Sequence, residues 1–251
     1  MIDASDMFCR MIVSVNSYTQ GLLPSMSTEE FGNLGKRLES ALALSKPIVA
    51  ISFNPDVTKL RRSTDVVESS CVFWAKALDG AFYTTPDQHL HCSVGAVTHG
   101  YRLAKDSVPG SGLDVINLLA KVGWIGNDDI LGLPALPLEV QRNIGYAPLN
   151  ETPFVPDVVL MWCSSQQAAL IKEAAPDSKV TVKPTCQGLP LANEGDVVIG
   201  LGCTASRTRS GYSDSEIVVT VNARRLKEFV EYIERIASAD AKVKIALSPP
   251  V

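Results

Sequence analysis

The chain has 251 residues, 46% of them hydrophobic and 20% charged, with a formal net charge of −4. This is the balance of a globular protein large enough to bury a substantial core, and the small acidic excess argues against a nucleic-acid partner, which usually calls for a basic one. No apolar run approaches the roughly 18 residues of a membrane span, and "MIDASDMFCRMIVSV" has acids where a secretory leader has bases, so a cytoplasmic protein with no membrane partner is expected.

In chain order, Ser27 and Glu30 form a capping box ahead of Phe31, Leu34, Leu38, Ala41 and Leu42, spaced as one face of a helix. "PIVAISF" (47–53) is short, β-branched and continuously apolar, the pattern of a strand buried on both faces. "CVFWAKALDG" (71–80) reads as a helix ended by glycine, "AFYTT" (81–85) as a strand and "CSVGAVTHGYRL" as a helix. Residues 104–150 are rich in Gly and Pro, with one helix expected near 113–122. "PDVVLMW" (156–162) is a second buried strand, followed by a helix through Gln166, Leu170 and Ile171 and a short strand "KVTV" (179–182). Cys186 opens a short segment ending at Gly195, "DVVIGLG" (196–202) and "EIVVTV" (216–221) are strands, and Asn222 caps an amphipathic helix carrying Leu226, Phe229, Val230, Ile233 and Ile236. The fold class is α/β: two similar lobes of mixed sheet flanked by helices. Residues 1–125 make the N-terminal lobe with Cys71 and Cys92, 126–150 a connector, and 151–251 the C-terminal lobe with Cys186 and Cys203.

The two lobes echo each other. "CSVGAVTHGY" (92–101) and "CTASRTRSGY" (203–212) both begin with cysteine and end in Gly-Tyr at the same spacing, and each follows a strand and an earlier cysteine. The gaps differ, with 21 residues from Cys71 to Cys92 and 17 from Cys186 to Cys203. An internal duplication would place a pseudo-twofold axis between the lobes and bring the four cysteines to one interface.

In a reducing compartment, six cysteines suggest metal binding or catalysis more than disulfides. Four converging thiolates suit zinc or an iron–sulfur cluster, and Cys71 and Cys92 at helix starts would have their thiolates stabilised by free amides and the helix dipole. Against this, no Cys-x-x-Cys clip occurs, and cysteine often packs as a small buried hydrophobe. From the residues alone both readings stay open. Arg207 and Arg102, with Arg209, would offset the negative charge of a cysteine-bound centre and are the candidate cofactor contacts.

His89 and His91 alternate beside Cys92 as on one strand face, as ligands, as donors behind the ligands or as plain loop residues. His99 reads as a packing or capping residue, and Cys9 and Cys163 as structural. "GLGCTA" (200–205) fits the dinucleotide pattern Gly-x-Gly-x-x-Ala, but the polar "SRTRSGYSDSE" that follows reads as turn rather than as the helix that pattern requires. "GNLGKR" (32–37) lacks the spacing of a phosphate loop.

Over "PIVAISF", "CVFWAKALDGAFYTTPDQHLHCSVGAVTHGY", "YAPLNETPFVPDVVLMWCSSQQAALI" and "GLGCTASRTRSGYSDSEIVVTVNARRLKEFVE" the chain resembles the uncharacterised family called domain of unknown function 169, found widely in anaerobic bacteria and archaea. The resemblance covers most of residues 46–236. It implies cysteines at Cys71, Cys92, Cys186 and Cys203, with Arg207 and Glu216 on the same motif, and leaves Cys9 and Cys163 outside it. "CSVG" stands where the family often has Cys-Pro-Gly-Gly, and "CTAS" where it often has Cys-Asn-Gly-Ser. The family supplies no activity. It does raise a four-cysteine metal site above the packing alternative.

The expected function is therefore an iron–sulfur protein with a 4Fe–4S cluster on these four cysteines, acting in electron transfer or small-molecule redox chemistry or as a lyase. Its partner would be an electron carrier or a small molecule, with homo-oligomerisation open. The alternatives are a structural or sensory zinc site and a metal-free small-molecule binding module.

Overall fold

In the computed structural model, residues 26–67, 69–89, 91–103, 120–124, 126, 129 and 131–247 are described. Cys9 and most of the helix expected at 113–122 lie outside them.

Eight strands form one mixed sheet: β1 (Val49–Phe53), β2 (Arg61–Arg62), β3 (Phe82–Thr84), β4 (Ile144–Pro148), β5 (Val158–Cys163), β6 (Lys179–Thr181), β7 (Val197–Gly200) and β8 (Ile217–Asn222), in the order β2-β3-β4-β1-β5-β8-β7-β6. The centre is the antiparallel pair β1–β5, with Val49 opposite Leu160. Outward from it, β1, β4, β3 and β2 meet by antiparallel, antiparallel and parallel pairings. On the other side β5, β8, β7 and β6 meet by the same three in the same order.

The central strands are continuously apolar because both of their faces are covered. Ala50, Ala147, Val159, Met161, Cys163, Ile199, Val219 and Val221 point to one core. Their neighbours Val49, Ile51, Tyr146, Val158, Leu160, Trp162 and Val218 point to the other, as the two-residue alternation of a strand requires. The first core lies under three helices: α1 (Thr28–Leu42), the helix of Ser165–Ala174, and the long helix of Leu226–Leu247.

Local chemistry sets the ends of α1. Ser27 Oγ accepts from the Glu30 amide at 3.2 Å, the Ser27 amide donates to Glu30 Oε2 at 2.7 Å, and Ala43 closes the helix in the left-handed region at φ 50. Leu38 in its centre is fully buried among these helices and the sheet. Leu38→Ala is expected to lower unfolding free energy by about 2–5 kcal/mol, read from urea midpoints. A loss below about 1 kcal/mol would show that this face is not packed as described.

The second core lies under four short helices, α2 (Val72–Lys76), α3 (Ser93–Thr98), α5 (Gly188–Asn193) and α6 (Thr204–Ser210), together with a 3-10 turn at Thr185–Gln187; in chain order the Ser165–Ala174 helix is α4 and the Leu226–Leu247 helix α7. α2 and α6 meet across the two sides of the sheet, as do α3 and the Thr185–Gln187 turn.

Two elements depart from the sequence expectation. Residues 126–150 contain β4, which sits between β3 and β1 and is wholly buried; its short "IGYAP" carries too much Gly and Pro to announce a strand. The stretch after Cys203 is a helix, α6, and not a turn. It still does not complete a dinucleotide fold, because the chain returns from α6 into β8 antiparallel to β7, where that fold needs a parallel strand.

Candidate functional site

The repeated stretches have the same local structure. Cys92 and Cys203 are the N-caps of α3 and α6. Gly100 and Gly211 both sit at φ +72, where a side chain would be strained, and Tyr101 and Tyr212 are both buried behind them.

Cys203 is held most tightly. Its amide donates to Thr185 Oγ1 at 2.8 Å, Thr185 Oγ1 lies 3.0 Å from Ser206 Oγ, and Ser206 Oγ stands 3.3 Å from Cys203 Sγ. The Tyr212 hydroxyl closes this group by a hydrogen bond with Ser206. Thr185 immediately precedes Cys186, so one hydroxyl ties both cysteines of the second half together. Burial pushes the Cys203 thiol up, but Ser206 and Thr185 outweigh it and the net shift is downward, favouring thiolate.

In the first half, Cys92 Sγ accepts from the Gly95 amide at 3.3 Å. A Cβ at Gly95 would lie 2.2 Å from Ser70 Oγ and 2.8 Å from Cys92 Sγ, so only glycine lets Ser70, the neighbour of Cys71, come this close to Cys92. Ser70 Oγ is also 2.8 Å from His89 Nδ1, and His89 Nε2 is 2.8 Å from Thr84 Oγ1.

The thiols of the two halves share one electrostatic neighbourhood. Burial pushes Cys71 up to about 12; the Ser210 hydroxyl pulls it back a little, and Cys92 and Cys203 push it further. Burial also pushes Cys186 well up, with Cys92, Cys203 and Cys71 all adding to the rise. The expectation that its helix start lowers Cys71 is thus overturned. α2 has only five residues and Cys71 makes no side-chain cap bond to it, so desolvation dominates. Cys163 is buried on the opposite face of the sheet, in the first core, as a structural residue. Among the described residues no three His, Cys, Asp or Glu side chains stand grouped for a metal ion.

The three arginines named with the site have different surroundings. Arg207 donates to the carbonyls of Leu201 and Ser213, each at 2.5 Å, and its guanidinium lies over the Tyr212 ring. It clamps the loop that carries Gly202 and Cys203, and Gly202 is at φ +86 with Arg207 Nη2 2.8 Å from where a Cβ would be. Arg209 reaches Ser69 Oγ at 3.3 Å. Arg102 is half-buried just after Tyr101. Glu216 pairs with Lys46 at 2.6 Å and accepts from the Ser213 amide at 2.7 Å, fixing the far end of the Arg207 clamp.

His89 and His91 do not share a strand face. His89 ends a 3-10 turn (Pro86–His89) and is fully buried, while His91 is exposed. His99 closes α3 and bonds the Gly95 carbonyl through Nδ1 at 2.5 Å, a capping and packing role as expected. Sequence reasoning missed Arg142, which is buried and donates to the His99 carbonyl at 2.5 Å and to the Pro137 carbonyl at 2.8 Å. It also missed that His99 Nε2 and the hydroxyls of Tyr101 and Tyr146 lie buried with no hydrogen-bond partner among the described residues. Nothing in a one-dimensional pattern marks such groups, since they come from separate segments.

The model of the family described as an uncharacterised ArCR, domain of unknown function 169, matches residues 37–232. The chain belongs to this family. A similar protein of Methanocaldococcus jannaschii, itself described as uncharacterised, is 25% identical over 229 residues, covering 83% of this chain and 96% of the relative. No solved structure matches significantly. All four candidate cysteines, Arg102, Arg207 and Glu216 fall within the matched span of this domain of unknown function 169. No described helix is long and apolar enough to cross a membrane.

Proposed function

We propose that Cys71, Cys92, Cys186 and Cys203 hold a 4Fe–4S cluster between two duplicated halves, and that the protein serves in the cytoplasm in electron transfer or small-molecule redox chemistry. The observation that supports this reading is that Cys71 and Cys186, one from each half, are buried in the same core on one face of one sheet, where the charges of Cys92, Cys203 and Cys71 all bear on Cys186. The matching strand order on either side of β1–β5 supports the duplication. The donor set fits the group. It is all sulfur, with Ser206, Ser210 and the Gly95 amide in place around it, and bound iron would supply the Lewis acidity that keeps buried Cys71 and Cys186 deprotonated.

A cubane assigns one thiolate to each iron, whereas a single zinc with Zn–S bonds of about 2.3 Å must draw four sulfurs around one point. Arg207 acts on this centre by fixing the Cys203 loop. A metal-free binding module is the second reading, favoured by the burial that leaves Cys71 and Cys186 as neutral thiols.

Oxygen-free purification with iron, acid-labile sulfide and zinc analysis decides among them. The expected result is a brown protein with about four irons and four sulfides per chain, the content of one such cluster. A colourless protein with one zinc would replace the cluster by the zinc site, and one with neither metal would leave the binding module.

A further inference from the structure

α6 ends on Ser210, directly before the left-handed Gly211. Ser210 is buried, and its hydroxyl donates to Cys71 Sγ at 2.9 Å across 139 residues of sequence. Cys71 makes no side-chain bond to the start of its own helix, so its sulfur is oriented by the other half of the molecule. The equivalent helix α3 ends on Thr98, which is fully buried and donates its hydroxyl to the Gly95 carbonyl at 3.1 Å. Cys71, the first cysteine of one half, therefore meets the hydroxyl that ends the other half's second-cysteine helix.

We propose that Ser210 is a positioning residue of the sulfur site, donating from the opposite half the hydrogen bond that aims Cys71 Sγ at the shared centre and makes that centre easier to reduce. The inference rests on the proposed cluster. A hydrogen bond to a cluster thiolate withdraws charge from the sulfur and so favours the more negative, reduced state, raising the reduction potential.

The test uses the full chain prepared without oxygen, as wild type, Ser210→Ala and Ser210→Thr. Iron per chain and midpoint potential by spectroscopic redox titration are the readouts. Ser210→Ala is expected to keep its iron and titrate at a lower potential, and Ser210→Thr to return toward wild type. Iron lost in Ser210→Ala and regained in Ser210→Thr also supports the role; iron lost in both, or equal potentials in wild type and Ser210→Ala, overturns it. A wild type without iron would end the cluster reading, and the inference is then read on the metal-free protein. There, Ser210→Ala should slow alkylation of Cys71 relative to Cys163 by roughly two- to tenfold, the equivalent of one net hydrogen bond, as followed by mass spectrometry. An unchanged ratio overturns it.

Discussion

On the proposed cluster, Cys186→Ser prepared without oxygen is expected to carry little iron, while Cys163→Ala keeps the full complement. Cys186 follows Thr185, whose hydroxyl holds the Cys203 amide at 2.8 Å, and its sulfur feels all three other cysteines of the site. An alkoxide oxygen is a harder and far more basic donor than a thiolate and binds iron poorly in a buried site. Loss of partners that only support a ligand already costs about 10- to 100-fold in metal affinity, so losing a ligand should cost at least about tenfold in iron per chain. Cys163 is the internal control because it is buried to a similar depth on the other face of the same sheet. Its change should show as reduced stability with unaltered iron and colour. Iron analysis and the visible spectrum of the two variants check this, and equal iron in Cys186→Ser and wild type would remove Cys186 from the ligand set.

Mild acid should destabilise the fold well before carboxylates begin to protonate. His99 is fully buried; burial pushes its pKa down to about 4, against 6.5 in an open chain. Burial also pushes His89 well down, with His99 adding to the effect. Both are therefore neutral in the folded protein, while the unfolded chain binds protons to them below pH 6.5. The unfolded state then holds the excess of protons, so stability is complete above pH 6.5 and falls as the pH drops toward 4.

For His99 alone the loss between pH 7 and pH 5 is roughly 2 kcal/mol, and His89 adds to it. Carboxylates held low by their partners, such as Glu216 with Lys46 and the Ser213 amide, lose their contribution only below their unfolded value near 4.5, so the window from 6.5 to 4.5 belongs to the histidines. Urea midpoints of the metal-free protein across that window should decline, and His99→Gln should flatten the decline by about half. A midpoint that stays level to pH 5 would mean that these rings are not held neutral.

Much of the architecture was legible in local patterns. β1, β5, β7 and β8 announce themselves as short β-branched runs, α1 and α7 by capping residues and helical spacing, and the two Cys-to-Gly-Tyr stretches by their equal length. These signals are local because side-chain period, capping and turn chemistry act over a few residues. β2 and β4 were not legible. Two arginines and "IGYAP" become strands because neighbours offer them hydrogen-bonding edges, Arg61 beside Phe82 and Tyr146 beside both Ile51 and Phe82. α6 was hidden for a related reason: its polar residues form a helix once Cys203 and Ser206 cap its start and Arg207 clamps the loop before it.

At the candidate site, the linear chain nominated Cys71, Cys92, Cys186 and Cys203 and expected helix starts and arginines to stabilise their thiolates. The tertiary structure decided that Cys163 belongs to the opposite face, that Arg207 grips backbone carbonyls, and that burial, not a helix start, governs Cys71. It also decided that Ser210 serves a cysteine 139 residues away. Desolvation and pairing depend on which atoms surround a group after folding, and those atoms come from segments whose proximity no short-range periodicity records.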